Sequence, residues 1–181
     1  MPQLSSLRQG ASLLDLFKAF PDSSKPLIHL NEVLLRGPSP FTKAERELIA
    51  TFVSHLNRCG YCQGVHAATA ERLGIGRNTL EDLAEGVAGA TIPERMKPVL
   101  SYAEKLTDRP DSLVKADADA ILEAGWDETA IYHTVAVTAL FNFMNRLVEG
   151  LGIEYSASYA EQASKRLAEG GYLPLIEMLD R

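Results

Sequence analysis

The chain has 181 residues, 46% hydrophobic and 23% charged, with a formal net charge of −6. These proportions fit one globular domain that buries its core without disulfides or metals, and they exclude a disordered chain. The negative charge, with no run of five or more Lys/Arg, argues against nucleic acid and membrane surfaces as partners.

The apolar stretch Leu13 to Phe20 is interrupted by Asp15 and Lys18, and no small-residue cleavage site follows, so secretion is not expected. A cytoplasmic location is expected instead. The richest apolar stretch, Ile131 to Val148, carries His133, Asn142, Asn145 and Arg146 and reads as a buried core helix rather than a membrane span.

In chain order, apolar residues recur at three- and four-residue spacing, which predicts an all-α fold. A short helix is expected from Leu13 to Ala19, with breaks at Pro21 and Pro26 and a helix from Leu27 to Leu35. Gly37-Pro38-Ser39-Pro40 stops it. Thr42 with Glu45 forms a capping-box pattern opening a helix from Lys43 to about Asn57, whose apolar stripe leaves Lys43, Arg46 and Thr51 largely outside. The next helix is expected to begin near Cys62 and end at Gly74. Asn78 with Glu81 opens one ending at Gly86, and Thr91 with Glu94 one through about Leu106. Further helices are expected over Leu113 to Ala124, from Glu128 to about Glu149 behind Asp127, from Ser158 to Ala168, and in a short tail from Tyr172 to Leu179. The organisation expected is one domain over residues 1–181: a helical extension over about 1–36, a core over about 42–152 and a tail over 153–181.

Both cysteines lie in one segment, Cys59-X-X-Cys62, with His66 four residues beyond. Such a pair is too close to staple a fold, so its role is chemical. Placing Cys62 at a helix start aims backbone N–H groups and the positive dipole end at a thiolate, which lowers a thiol pKa. Residues four apart share a helix face, so His66 is placed to accept or return a thiol proton. Cys59, Cys62 and His66 are also three zinc-type ligands, but a closed site needs a fourth, and no second pair follows at finger spacing. Of the other histidines, His29 and His55 read as structural or surface groups, and His133 as a hydrogen-bonded core residue.

The segment from Thr42 to Ala70, containing Glu47, Cys59, Cys62 and His66, resembles the AhpD-type alkylhydroperoxidase branch of the carboxymuconolactone decarboxylase superfamily. That family's pattern is a glutamate twelve residues before the first cysteine, then Cys-X-X-Cys-X-X-X-His. The likeness runs from about Leu27 to Gly152. It includes Gly37-Pro38-Ser39-Pro40 before Ala44-Glu45-Arg46-Glu47, and Phe141-Asn142-Phe143-Met144-Asn145-Arg146 leading to Gly150-Leu151-Gly152, as in the subgroup described as peroxidase-related proteins.

The resemblance implies an all-helical AhpD-like bundle, a homo-oligomer (dimer, trimer or hexamer) with no cofactor. It would reduce hydroperoxides through its dithiol, with Glu47 assisting His66 in a proton relay and an external dithiol or protein as reductant. Some members carry a histidine between the cysteines where this chain has Tyr61. Read by itself, Glu47 also fits a surface glutamate near a helix start, favoured there by the helix dipole. In a tight antiparallel hairpin, twelve residues at about 1.5 Å each place it roughly 18 Å from the turn, well past His66. Cys62 is favoured as the attacking thiol because His66 faces it, with Cys59 as the alternative. A thiol-disulfide oxidoreductase without peroxidase activity, a redox-sensing or zinc-binding oligomer, and a decarboxylase independent of the thiols remain open at this point.

Overall fold

The computed structural model describes residues 2–180, and within them every regular element is helical. The helices are α1 (Leu13–Ala19), α2 (Pro21–Arg36), α3 (Lys43–Leu56), α4 (Gly60–Arg72), α5 (Arg77–Glu85), α6 (Lys97–Asp108), α7 (Lys115–Glu123), α8 (Glu128–Gly150), α9 (Ala157–Gly170) and α10 (Leu173–Leu179). Single 3-10 turns, Glu94–Met96 and Pro110–Ser112, precede α6 and α7.

Several starts differ from expectation, among them α5, whose N-cap is Gly76 rather than Asn78. Pro21 opens α2 at its first helical position, where its missing N–H costs nothing. Pro26 sits inside the helix without ending it. It forfeits one backbone bond near the N-terminus, while burial of Ile28, Asn31, Leu34 and Leu35 further along holds the helix together. Thr91 does not cap a helix: the chain makes a 3-10 turn, and α6 begins with Lys97-Pro98. The cap of α9 is Ser156 rather than Ser158. The capping box at Thr42 and the cap at Asp127 are formed as expected.

Helix α3 is the hub. Residues 46–54 are all buried, because α3 is enclosed by α4, α6 and α8. Arg46 and Thr51, expected largely off the buried stripe, are therefore inside. Arg46 is accommodated because its guanidinium donates to the Leu34 and Gly37 carbonyls, which the C-terminus of α2 leaves without helical partners. Helix α8 packs on α3 and α6 through Val137, Phe141, Met144 and Val148. Helix α4 lies between α3 and α9, and α10 returns to α2. The C-terminal helices thus cover the segment that carries the cysteines.

Candidate active site

The cysteines are set by the way α3 ends. Arg58 takes a left-handed conformation (φ 56°), the Cys59 N–H donates to the Ser54 carbonyl at 2.9 Å, and the Arg58 N–H donates to the His55 carbonyl at 2.9 Å. These paired bonds are a Schellman cap. The residue that completes it, Cys59, is also the N-cap of α4. Helix α4 therefore starts two residues earlier than expected, and both sulfurs belong to its first turn.

Both cysteines are free and buried. Cys62 does not have the lowered pKa its position suggested. The hydrogen bond with Cys59 and the burial of the pair push the Cys62 thiol well above its usual range, outweighing the amide of Asn145, which favours the thiolate. Asn145 is itself oriented: its Nδ2 donates to Ser54 Oγ (3.0 Å) and its Oδ1 accepts from Asn57 Nδ2 (3.0 Å).

Glu47 is 0% exposed, not a surface glutamate. Its Oε2 lies 2.7 Å from His66 Nδ1, and its Oε1 accepts from Arg36 at 2.6 Å and from the Tyr172 hydroxyl at 3.1 Å. The geometric objection to this pairing dissolves because residues 57–59 form the turn. Glu47 is then nine helical steps from the end of α3, about 13.5 Å, and His66 six steps into α4, about 9 Å. Two long side chains bridge that offset. Burial raises the Glu47 carboxyl, but His66 and Arg36 outweigh it and hold the group below the ordinary carboxylate range. An ionised carboxylate only accepts, so Nδ1 of His66 carries the proton and Nε2 is left to accept one. The ring meets Phe141 in a T-shaped contact, with centroids 4.6 Å apart.

Cys62 and His66 both line a cavity of about 50 Å³; Cys59 does not. Its walls are otherwise mostly apolar and include Leu13 and Phe17 of α1, Val65 of α4 and Leu167 of α9. Tyr61, which stands where some relatives have histidine, is buried against Tyr159 and the backbone of Leu13. Burial raises its pKa far above the usual range, so it stays a neutral phenol and is no base.

Arg36, Tyr172 and Asn145 were not singled out from the sequence. Asn145 carried a signal, a polar side chain at a buried position of an apolar helix, but Arg36 and Tyr172 reach Glu47 from distant segments that local pattern does not connect. His133 is buried as expected, but its Nδ1 has no hydrogen-bond partner. His29 is exposed, and His55 meets Gln63 at 3.4 Å. Among the described residues no group of three or more His, Cys, Asp or Glu side chains is arranged to hold a metal ion. Also among the described residues, no helix is long and apolar enough to cross a membrane.

The model of the carboxymuconolactone decarboxylase family matches residues 21–105, which include Arg36, Glu47, both cysteines and His66. No curated protein matches the chain significantly. Among solved structures, an uncharacterized peroxidase-related protein from Silicibacter sp. TM1040 is 26% identical with a TM-score of 0.77, covering 83% of this chain and 79% of that one. The alkylhydroperoxidase AhpD core of an uncharacterized peroxidase-related protein from Ralstonia eutropha JMP134 is 25% identical with a TM-score of 0.74, covering 82% and 78%. A protein of unknown function from Agrobacterium tumefaciens, a candidate AhpD antioxidant defence protein, shares the fold at 15% identity and a TM-score of 0.70, covering 81% of this chain and 99% of that one. The family match over residues 21–105 and the shared helical architecture make the chain similar to the AhpD-like carboxymuconolactone decarboxylase superfamily.

Proposed function

We propose that the chain is a dithiol peroxidase that reduces organic hydroperoxides through Cys62 and Cys59, with His66 and Glu47 moving the proton. The observation that carries this reading is the convergence of Cys62 and His66 on one apolar cavity, while a buried carboxylate holds the far nitrogen of the same imidazole. Because the Cys62 thiol sits well above its usual range, it enters the reaction protonated, and the free nitrogen of His66 removes the proton as the sulfur attacks.

The sulfur bonds to one peroxide oxygen and the O–O bond breaks. The leaving alkoxide takes the proton from His66 and departs as alcohol, which leaves Cys62 as sulfenic acid. Cys59 then attacks that sulfur, water leaves, and a Cys59–Cys62 disulfide results. In sum, one hydroperoxide and two thiols give one alcohol, one water and one disulfide. An outside dithiol reduces the disulfide to start the next cycle. Glu47 stabilises the imidazolium that exists between the two proton transfers, as a buried carboxylate does behind a catalytic histidine.

Burial of both sulfurs favours a small peroxide over a bulky protein disulfide as the oxidant. The homo-oligomer belongs to the same proposal, and light scattering decides its subunit number. The chemical test is mass spectrometry after one equivalent of cumene hydroperoxide. Wild type is expected to lose two hydrogens, Cys59→Ser to gain one oxygen trappable by dimedone, and Cys62→Ser to stay unmodified. Oxidation of Cys62→Ser as fast as wild type would reverse the sulfur roles, and no oxidation of wild type would end the peroxidase reading.

A further inference from the structure

The cavity beside Cys62 and His66 has two arginines close to it, and they are in different states. Arg36 is fully engaged, with Glu47, the Leu167 carbonyl and the Leu35 carbonyl as acceptors. Arg166 is not. Its Nε is sealed from solvent with no hydrogen-bond partner, and among the described residues the side chain takes part in no ion pair. It comes from α9, whose Tyr159, Ala163, Arg166 and Leu167 fall at helical spacing and all line the cavity. The residue as a whole is only partly buried, so Arg166 runs from the apolar lining towards solvent.

A guanidinium that lacks an acceptor beside an apolar cavity is a built complement to an anion. Its planar fork matches a carboxylate with two parallel hydrogen bonds, and the surrounding apolar walls strengthen that pairing. We propose that Arg166 recognises a carboxylate on the substrate, and that the preferred substrates are short-chain hydroperoxides bearing such a group. This rests on the peroxidase reading above. In this arrangement the hydroperoxide end sits by Cys62 and His66 and the carboxylate at Arg166. The cavity, at about 50 Å³, leaves little room for more than the reactive end and a few carbons without displacement of its walls. The chain's net charge of −6 disfavours anions at long range, so a preference for them requires a local cation such as this one.

The test compares 6-hydroperoxyhexanoate with n-hexyl hydroperoxide, flexible molecules of similar length that differ in the carboxylate. The readout is the ratio of their kcat/KM values, which does not depend on the fraction of active protein. Wild type is expected to favour the carboxylate by about tenfold or more, Arg166→Gln to bring the ratio to about one, and Arg166→Lys to keep part of the preference. A wild-type ratio at or below one, or an unchanged ratio in Arg166→Gln, overturns the assignment. If neither hydroperoxide oxidises the thiols, the peroxidase reading has failed, and calorimetric binding of hexanoate to the reduced protein decides the anion site separately. Saturable binding lost in Arg166→Gln supports it; absent or unaltered binding overturns it.

Discussion

Glu47 Oε2 lies 2.7 Å from Nδ1 of His66, although nineteen positions separate the two residues in the chain. The pair crosses from α3 to α4 with Glu47 fully buried and His66 largely so, and it fixes which imidazole nitrogen is free to handle a proton. Replacing Glu47 with Gln keeps the size but removes the charge. Nδ1 then loses its obligatory acceptor, and the imidazolium formed during turnover loses its counter-charge. Hydroperoxide reduction is expected to fall roughly 10²-fold or more, in the range ascribed to a positioned acid–base group. Single-turnover kinetics with cumene hydroperoxide measures this, and a change of less than about threefold would remove Glu47 from the relay.

The same carboxylate makes folding sensitive to acid. Its native pKa is held below that of an ordinary glutamate by His66 and Arg36, so the unfolded state takes up its proton first as pH falls. The stabilisation is therefore fully present above that unfolded value and is lost as pH drops through the lowered native one. Urea midpoints measured from pH 7 to pH 3 should decline more steeply in wild type than in Glu47→Gln. At pH 7 the variant should be the less stable by about 3 kcal/mol, because Arg36 is left as a buried charge without its counter-ion. Equal slopes would mean that Glu47 is not ionised in the native state.

Arg58 pays for the position of Cys59. A non-glycine residue at φ 56° costs on the order of 1 kcal/mol, yet this turn lets Cys59 both close α3 and cap α4. Arg58→Gly should relieve that strain and raise stability by roughly 0.5–1 kcal/mol after the added flexibility of the unfolded chain is counted. Chemical denaturation measures it, and a loss of stability would show that the Arg58 side chain contributes more than its backbone costs.

Much of this site was legible in the sequence because its chemistry is local. Cys59, Cys62 and His66 occupy one helical turn and its neighbour, and the four-residue spacing alone put Cys62 and His66 on one helix face. Thr42 with Glu45 opened α3 as expected, whereas the similar pairs at Asn78, Thr91 and Ser158 do not cap their helices, because a local pair does not fix where tertiary packing starts a helix. The missing parts are long-range. Arg36 lies at the end of α2 and Tyr172 behind α9, and they meet at Glu47 only through packing of the whole fold. The raised Cys62 thiol was missed for a related reason: a helix start is visible in sequence, whereas the burial that overrides it is not.

Tyr172 reaches Glu47 because of the residue before it. Gly171 is left-handed at φ 70°, and a Cβ built there would lie 2.6 Å from Oε2 of Glu32. That same oxygen accepts the Tyr172 N–H at 2.7 Å, so Glu32 anchors the backbone that aims the phenol at Glu47. Gly171→Ala combines an unfavourable φ with a collision at this anchor, and should cost about 1–3 kcal/mol. It should also displace Tyr172. Tyr172→Phe removes only the hydroxyl, leaves Arg36 on Glu47 Oε1, and should cost about 0.5–1.5 kcal/mol. If the anchor acts through the phenol, adding Gly171→Ala to Tyr172→Phe should cost less than the sum of the two single changes. Full additivity in denaturant unfolding would instead show that Gly171 serves the turn into α10 and not the Glu47 cluster.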